Sequence, residues 1–209
     1  MILTTANINE LPSRYRAHLF QSISGVKSAN LLSTIDQQGN TNVSIISSVV
    51  HFGSNPPILG YVQRPHAEDK HSLANLLETR FYSFNVVPTA IISQAHQTSA
   101  KYDKLTSEFE ATGLTPYFHE KFLAPFVKES QVKIGLELIE IVPIKHNGTQ
   151  LVLGQVVFVE IPDEHVTSEG IVAHENIATA GIIGLDTYVK IDKLARFSYA
   201  EPNTTLTKL

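Results

Sequence analysis

The sequence predicts a mainly β fold, a barrel or sandwich with inserted helices, from three observations. Runs rich in β-branched and aromatic residues recur along most of the chain. Short stretches of turn-forming residues separate them. Helical spacing shows in too few places to alternate regularly with the strands, as a parallel α/β sheet would require. No repeat, low-complexity tract or Pro/Gly/Ser linker divides the 209 residues, so residues 1–209 read as one domain with its core at about 25–200.

The elements follow in order. Residues 12–23, with Leu11, Tyr15, Leu19 and Ile23 spaced by four, read as a leading helix. Residues 28–35 and 42–52 are β-rich runs joined by Asp36-Gln37-Gln38-Gly39-Asn40, whose Asp, Gly and Asn favour turns, so a hairpin is expected. Ser54-Asn55-Pro56-Pro57 closes the second run and residues 58–63 supply a third strand. Pro65, with no N–H to offer a ladder, stops it. Leu73, Leu76 and Leu77 carry helical spacing to about Thr79. Residues 81–87 return to β-character, and 89–98 set Ile91, Ile92 and Ala95 on one helical face. Residues 101–127, polar, aromatic and Pro-containing, read as a long loop around a short helix at 107–112. Ile134, Leu136 and Leu138 alternate against Glu137, and residues 151–161 read as a strand alternating through Leu153, Gln155, Val157 and Val159, with Asn147-Gly148 as the turn between the two. Residues 188–199 are expected to add closing strands.

Composition narrows the function classes. Hydrophobic residues make up 43% and charged residues 17% of the chain, a balance typical of soluble globular proteins. Residues 1–16 show no basic start followed by an apolar stretch, and no run is apolar long enough to span a bilayer. The chain has no cysteine, which removes disulfides, thiolate metal sites and thiol nucleophiles and fits a reducing cytoplasm, the expected location. A net charge of −4 with no cluster of Lys and Arg argues against broad affinity for nucleic acid or an anionic membrane. No histidine pair has a His-Glu-x-x-His arrangement, so no metal is expected. Gly181-Ile182-Ile183-Gly184 lacks dinucleotide-fingerprint spacing, and no nucleophile elbow supports a hydrolytic triad.

The strongest local signal for chemistry is Arg64-Pro65-His66-Ala67-Glu68-Asp69-Lys70-His71-Ser72, where a strand end meets a helix start. Free backbone N–H groups and the positive end of the helix dipole favour phosphate there, with Arg64 and Lys70 adding charge and Ser72 a hydroxyl donor. The same residues also suit a solvated, Ser-started helix.

A series of landmarks in one order resolves that ambiguity toward a ligand. It runs from Ala29-Asn30-Leu31-Leu32-Ser33-Thr34-Ile35-Asp36 and Gly39-Asn40-Thr41-Asn42-Val43-Ser44 to Ser54-Asn55-Pro56-Pro57-Ile58-Leu59, Arg64 and Lys70-His71-Ser72-Leu73-Ala74-Asn75-Leu76. Phe81-Tyr82-Ser83-Phe84-Asn85-Val86-Val87, Ser107-Glu108-Phe109-Glu110-Ala111-Thr112-Gly113-Leu114-Thr115, Leu153-Gly154-Gln155-Val156 and Gly184-Leu185-Asp186-Thr187-Tyr188 continue it. Over roughly residues 25–200 the chain resembles the flavin reductase-like family, FMN-binding split β-barrels of Greek-key type that include flavoredoxin-type proteins.

The resemblance implies an isoalloxazine ring along the second strand, facing Ile45, Ile46, Ser47 and Ser48 through backbone donors and acceptors. It implies a ribityl-phosphate flanked by Gln63 and Arg64 and closed by Lys70, His71 and Ser72. The family usually has Asp and Thr where this chain has His71 and Ser72; Ser72 keeps the hydroxyl, and His71 does not keep the cap. By the same likeness Lys70→Glu weakens FMN binding. Tyr188 is placed near the flavin or in the core, Ser47 and Ser48 also suit an ordinary strand face, and Asn85 is read as structural. The implied activity is an NAD(P)H:flavin reductase in which NADH or NADPH delivers hydride to FMN and the flavin, not a catalytic side chain, does the chemistry. A homodimer and a monooxygenase or other electron-acceptor partner are implied too. The alternatives are a non-catalytic FMN-binding electron carrier, or a related split barrel with another ligand such as a pyridoxal-type phosphate or haem.

Overall fold

The computed structural model describes residues 1–65, 71–103 and 106–209. Two helices lead, α1 (Thr5–Glu10) and α2 (Ser13–Ser22), followed by β1 (Lys27–Ser28), β2 (Asn30–Ile35), β3 (Thr41–Ile46), β4 (Val50–Ser54) and β5 (Pro57–Gln63). Then come α3 (His71–Thr79), β6 (Phe81–Val86), α4 (Ile92–Gln97), α5 (Glu108–Thr112), β7 (Pro116–His119) and β8 (Phe122–Val127). The chain continues with β9 (Lys133–Ile144), β10 (Thr149–Glu160), β11 (Ala180–Ile183) and β12 (Thr187–Lys190). No helix among the described residues is long and apolar enough to cross a membrane.

The main sheet has seven antiparallel strands in the order β3-β2-β6-β9-β10-β5-β4. Its two edge strands, β3 and β4, are consecutive in the chain and joined only by residues 47–49. Laid flat, seven strands would hold those edges about 29 Å apart. A link of that length reaches at most about 14 Å. The sheet must therefore curl until its edges approach, giving a barrel that is split between β3 and β4. A smaller sheet, β1-β11-β12, and the β7-β8 hairpin lie beside it.

Strand β2 is buried along its whole length because both of its faces are covered. Leu32 points into the barrel with Tyr61, Tyr82, Phe84, Leu136, Leu138 and Val152, and Leu73 and Leu76 of α3 close that interior. Leu31, one residue away, points outward into a second cluster with Val43, Ile91, Ala95, Phe109, Ala180 and Ile182, where α4, α5 and the small sheet pack. The expected hairpin turn forms as its composition suggests. The Asp36 carboxylate accepts the N–H groups of Gln38 and Asn40 at 2.9 and 2.8 Å, and Gly39 takes a left-handed φ of 89°.

Several expectations are corrected. The run 42–52 is two strands, because residues 47–49 must cross the split. The stretch 101–127 does contain the short helix α5, yet it ends in the β7-β8 hairpin. Pro116 and Pro125 disguise it in sequence. β8 lies across β6 and β2 and is held partly by side chains: Ser83 Oγ donates to the Pro125 carbonyl at 2.6 Å, and the Val127 N–H donates to Asn85 Oδ1 at 2.9 Å. Asn85 thus acts structurally. In place of closing strands over 188–199 there is the short β12 pairing with β11, a strand the pattern did not reveal. The Asn147-Gly148 turn does join two strands, and each of them runs to 12 residues.

Candidate functional site

Residues 47–49 belong to neither flanking strand, so their backbone groups lie outside the sheet ladders. Ser48 ties this link to β5: its hydroxyl accepts from the Val62 N–H at 3.1 Å and donates to the Val62 carbonyl at 3.3 Å. Beside the link opens a cleft of about 500 Å³. One wall is the barrel rim, Ser47, Ser48, Val49 and Val50 with Val62 and Arg64. The rest of the lining comes from α2, the turn after it and β1, through Phe20, Gln21, Ser24 and Lys27, and from Gly184 and Leu185 in the β11-β12 turn. The described lining carries cations and hydroxyls and no carboxylate.

The expected site residues divide among distinct places. Ser47, Ser48 and Arg64 share the cleft. Ile45 and Ile46 flank it on opposite faces of β3: Ile45 packs on the outer cluster and Ile46 on the barrel interior. The Ile45 N–H is already taken, donating to Thr98 Oγ1 at 2.8 Å. Gln63 ends β5 opposite Gln150, whose buried Oε1 has no hydrogen-bond partner among the described residues. His71 opens α3 and is half-buried. Ser72 donates its hydroxyl proton to Asn42 Oδ1, and Asn42 Nδ2 donates to the buried carboxylate of Glu108. The Ser72 proton is thereby committed within the protein. Lys70 lies outside the described residues.

Tyr188 stands apart from the cleft lining. It packs on the outer cluster with Ile45, its hydroxyl is 3.1 Å from His96 Nδ1, and the two rings meet edge to face at 5.8 Å. Burial, and secondarily the Asp186 carboxylate, raise its phenol above the ordinary tyrosine range, so it stays a neutral hydroxyl near pH 7. No group of three His, Cys, Asp or Glu among the described residues could hold a metal ion.

Sequence reasoning missed Asn42, Glu108, His96, Thr98 and Lys27. Asn42 carried a usable signal, since Asn is disfavoured inside strands and a buried one needs partners. Glu108, His96 and Thr98 had none, because Asn42, Tyr188 and Ile45, which they meet, come from distant segments; Lys27 bonds near neighbours, Gln21 and Ser24, and only the fold brings it to the cleft.

Comparison with known proteins adds to this geometry. Residues 26–179 match the flavin reductase like domain. The fold is similar to a split-barrel protein of the flavin reductase type from Shewanella frigidimarina NCIMB 400, at 49% identity, a TM-score of 0.92, and coverage of 96% of this chain and 100% of that one. More distant likenesses show the fold alone. Nitrilotriacetate monooxygenase component B from Bacillus cereus aligns at 20% identity and TM-score 0.81 over 93% of this chain and 98% of the other. Flavoredoxin of Desulfovibrio vulgaris (Miyazaki F) aligns at 17% and 0.70 over 86% and 92%.

Proposed function

The chain belongs to the flavin reductase like family, and on that premise we propose that it binds FMN in the cleft beside the barrel split and acts as an NAD(P)H:flavin reductase. The observation that carries the reading is the coincidence, in one cleft, of an unladdered backbone link, the Arg64 cation and a described lining without carboxylates. A flavin edge asks for N–H and C=O partners, which residues 47–49 can offer, and a phosphate asks for a cation. The orphaned Gln150 Oε1, in register with Gln63, suits a hydroxyl donor such as a ribityl chain carries.

FMN, when bound, supplies the hydride-accepting ring that side chains lack. The chain's own residues would position it. Ser47 and Ser48 would present backbone to the ring, with Ser48 holding the link against β5. Ile45 and Ile46 would stiffen β3 from both faces, and Gln63 and Arg64 would take the ribityl-phosphate with Lys70 and His71. Ser72 would act through its bond to Asn42, fixing the start of α3, and Tyr188 would support the outer cluster on which Ile45 also packs. A second copy of the chain and a separate acceptor of the reduced flavin, a monooxygenase component or another electron carrier, complete the proposal.

The test is the visible spectrum and steady-state kinetics of the purified protein with added FMN. A two-band flavin spectrum and saturable oxidation of NADH or NADPH are expected. Bound FMN without turnover would make the protein a carrier, and failure to bind any flavin would overturn the reading. Arg64→Glu is expected to weaken FMN binding by about tenfold or more, equivalent to about 1.4 kcal/mol. Unchanged affinity would move the phosphate anchor elsewhere.

A further inference from the structure

Strand β3 is one lip of the split, and side chains from the helices cover its free edge. At its start Thr41 Oγ1 and Ser107 Oγ approach at 3.5 Å and Asn42 donates to Glu108, so the beginning of α5 lies there. Farther along, the Ile45 N–H donates to Thr98 Oγ1 at 2.8 Å. Backbone groups of an antiparallel strand point alternately to its two edges, so an N–H given to Thr98 faces away from β2. The next position facing that way is Ser47, the first residue of the link. Thr98 therefore takes the last outward N–H of β3 itself.

Thr98 is held firmly for that role. It is buried at 3% exposure, and its hydroxyl donates to the Ala95 carbonyl at 2.7 Å, which leaves the oxygen lone pairs to accept from Ile45. Its own N–H bonds the Gln94 carbonyl at 3.2 Å, closing α4. Two residues earlier, His96 Nδ1 lies 3.1 Å from the Tyr188 hydroxyl of β12, the strand that follows the turn giving Gly184 and Leu185 to the cleft. The last turn of α4 is thus tied to the β3 lip through Thr98 and to β12 through His96, and neither residue lines the cleft.

We propose that Thr98 is a positioning residue: by claiming the Ile45 N–H it fixes where a ligand's hydrogen bonds to the lip can begin, and so sets the register of the flavin edge on residues 47–49. The assignment rests on the flavin reading of the cleft. Without the Thr98 hydroxyl the Ile45 N–H becomes a competing donor two residues back, about 7 Å along the strand. The Ile45 backbone, which the family likeness puts against the ring, is assigned here to the protein's own bonding.

Thr98→Val keeps the side-chain shape without the hydroxyl, and Thr98→Ser keeps the hydroxyl. The measurements are FMN affinity by fluorescence titration, the visible bands of bound flavin, amide hydrogen exchange at residues 45–49, and urea unfolding. Thr98→Val is expected to weaken FMN binding about fivefold or more, move the bound-flavin bands and speed exchange at Ile45 and the link. Thr98→Ser should stay within about twofold of wild type and keep its bands. A lower urea midpoint with unchanged affinity and bands would make Thr98 merely structural and overturn the proposal, as would Thr98→Ser behaving like Thr98→Val. Should Thr98→Val not fold, the wild type decides: FMN should slow exchange at residues 47–49 and leave an Ile45 amide that is protected already. An Ile45 amide protected only when FMN is present overturns the proposal. If the wild type takes no FMN, the flavin reading falls by itself, and exchange in the two apoproteins still shows whether Thr98 fixes the lip.

Discussion

Inside the barrel, Tyr61 and Tyr82 are buried with hydroxyls that find no partner among the described residues, and burial raises both phenols far above the ordinary range. Their rings, with that of Phe84, pack edge to face at 5.4–6.0 Å, so what they contribute is packing rather than polarity. Gly154 makes this possible: a Cβ there would overlap the Tyr82 hydroxyl, lie 2.8 Å from its Cζ and crowd the Leu136 Cβ at 3.1 Å. Gly154→Ala is expected to destabilise the fold by about 1–3 kcal/mol in urea unfolding. Tyr82→Phe, which removes an unpaired buried hydroxyl, should stay within about 1 kcal/mol of wild type and lessen the effect of Gly154→Ala in the double variant. Additive losses would show that the hydroxyl and the glycine do not share that space.

Between elements, Asn42 joins three of them. It sits on β3, accepts from Ser72 at the start of α3 and donates to Glu108 at the start of α5, while Thr41 and Ser107 approach at 3.5 Å alongside. Truncating the amide to Leu leaves a buried carboxylate without its donor and a hydroxyl without its acceptor. Asn42→Leu is expected to cost about 2–4 kcal/mol in a denaturant midpoint assay, and Glu108→Gln, which keeps an acceptor for Asn42, only about 1 kcal/mol. Equal losses would mean that the carboxylate charge, rather than the bridge, matters. The turn residues and the leucines of α3 were legible in the sequence because they act on near neighbours. The Asn42 bridge was not, since Ser72 and Glu108 lie 30 and 66 positions away.

For the whole molecule, pH provides a handle on the long segment between β10 and β11. His174 there bonds Thr179 at 3.0 Å, and burial holds its imidazole below the ordinary 6.5, with the Glu175 carboxylate pulling weakly the other way. The neutral ring is the form the fold prefers. The unfolded chain therefore takes up this proton first as pH falls, and stability should decline from about pH 6.5 down through the lower folded value, with no contribution from this group above it. His174→Gln should flatten that part of the stability curve relative to wild type. An identical slope in the variant would assign the acid sensitivity to other groups.

The sequence by itself determined the strand-rich class, the hairpin turns at Asp36-Gln37-Gln38-Gly39-Asn40 and Asn147-Gly148, the helix carrying Leu73 and Leu76, and the family likeness. Each of these is written in local periodicity, turn chemistry or the order of short motifs. Only the tertiary structure decided that residues 47–49 break one apparent strand into the two lips of a split, that the Ser72 proton goes to Asn42, that Pro-bearing β7 and β8 form a hairpin, and that Lys27 and Arg64 line one cleft. Side-chain alternation tells which face of a strand is buried, but not which edge meets which. Barrel closure, and the partners it brings together, arise from pairing between distant segments that leaves no mark on neighbouring residues.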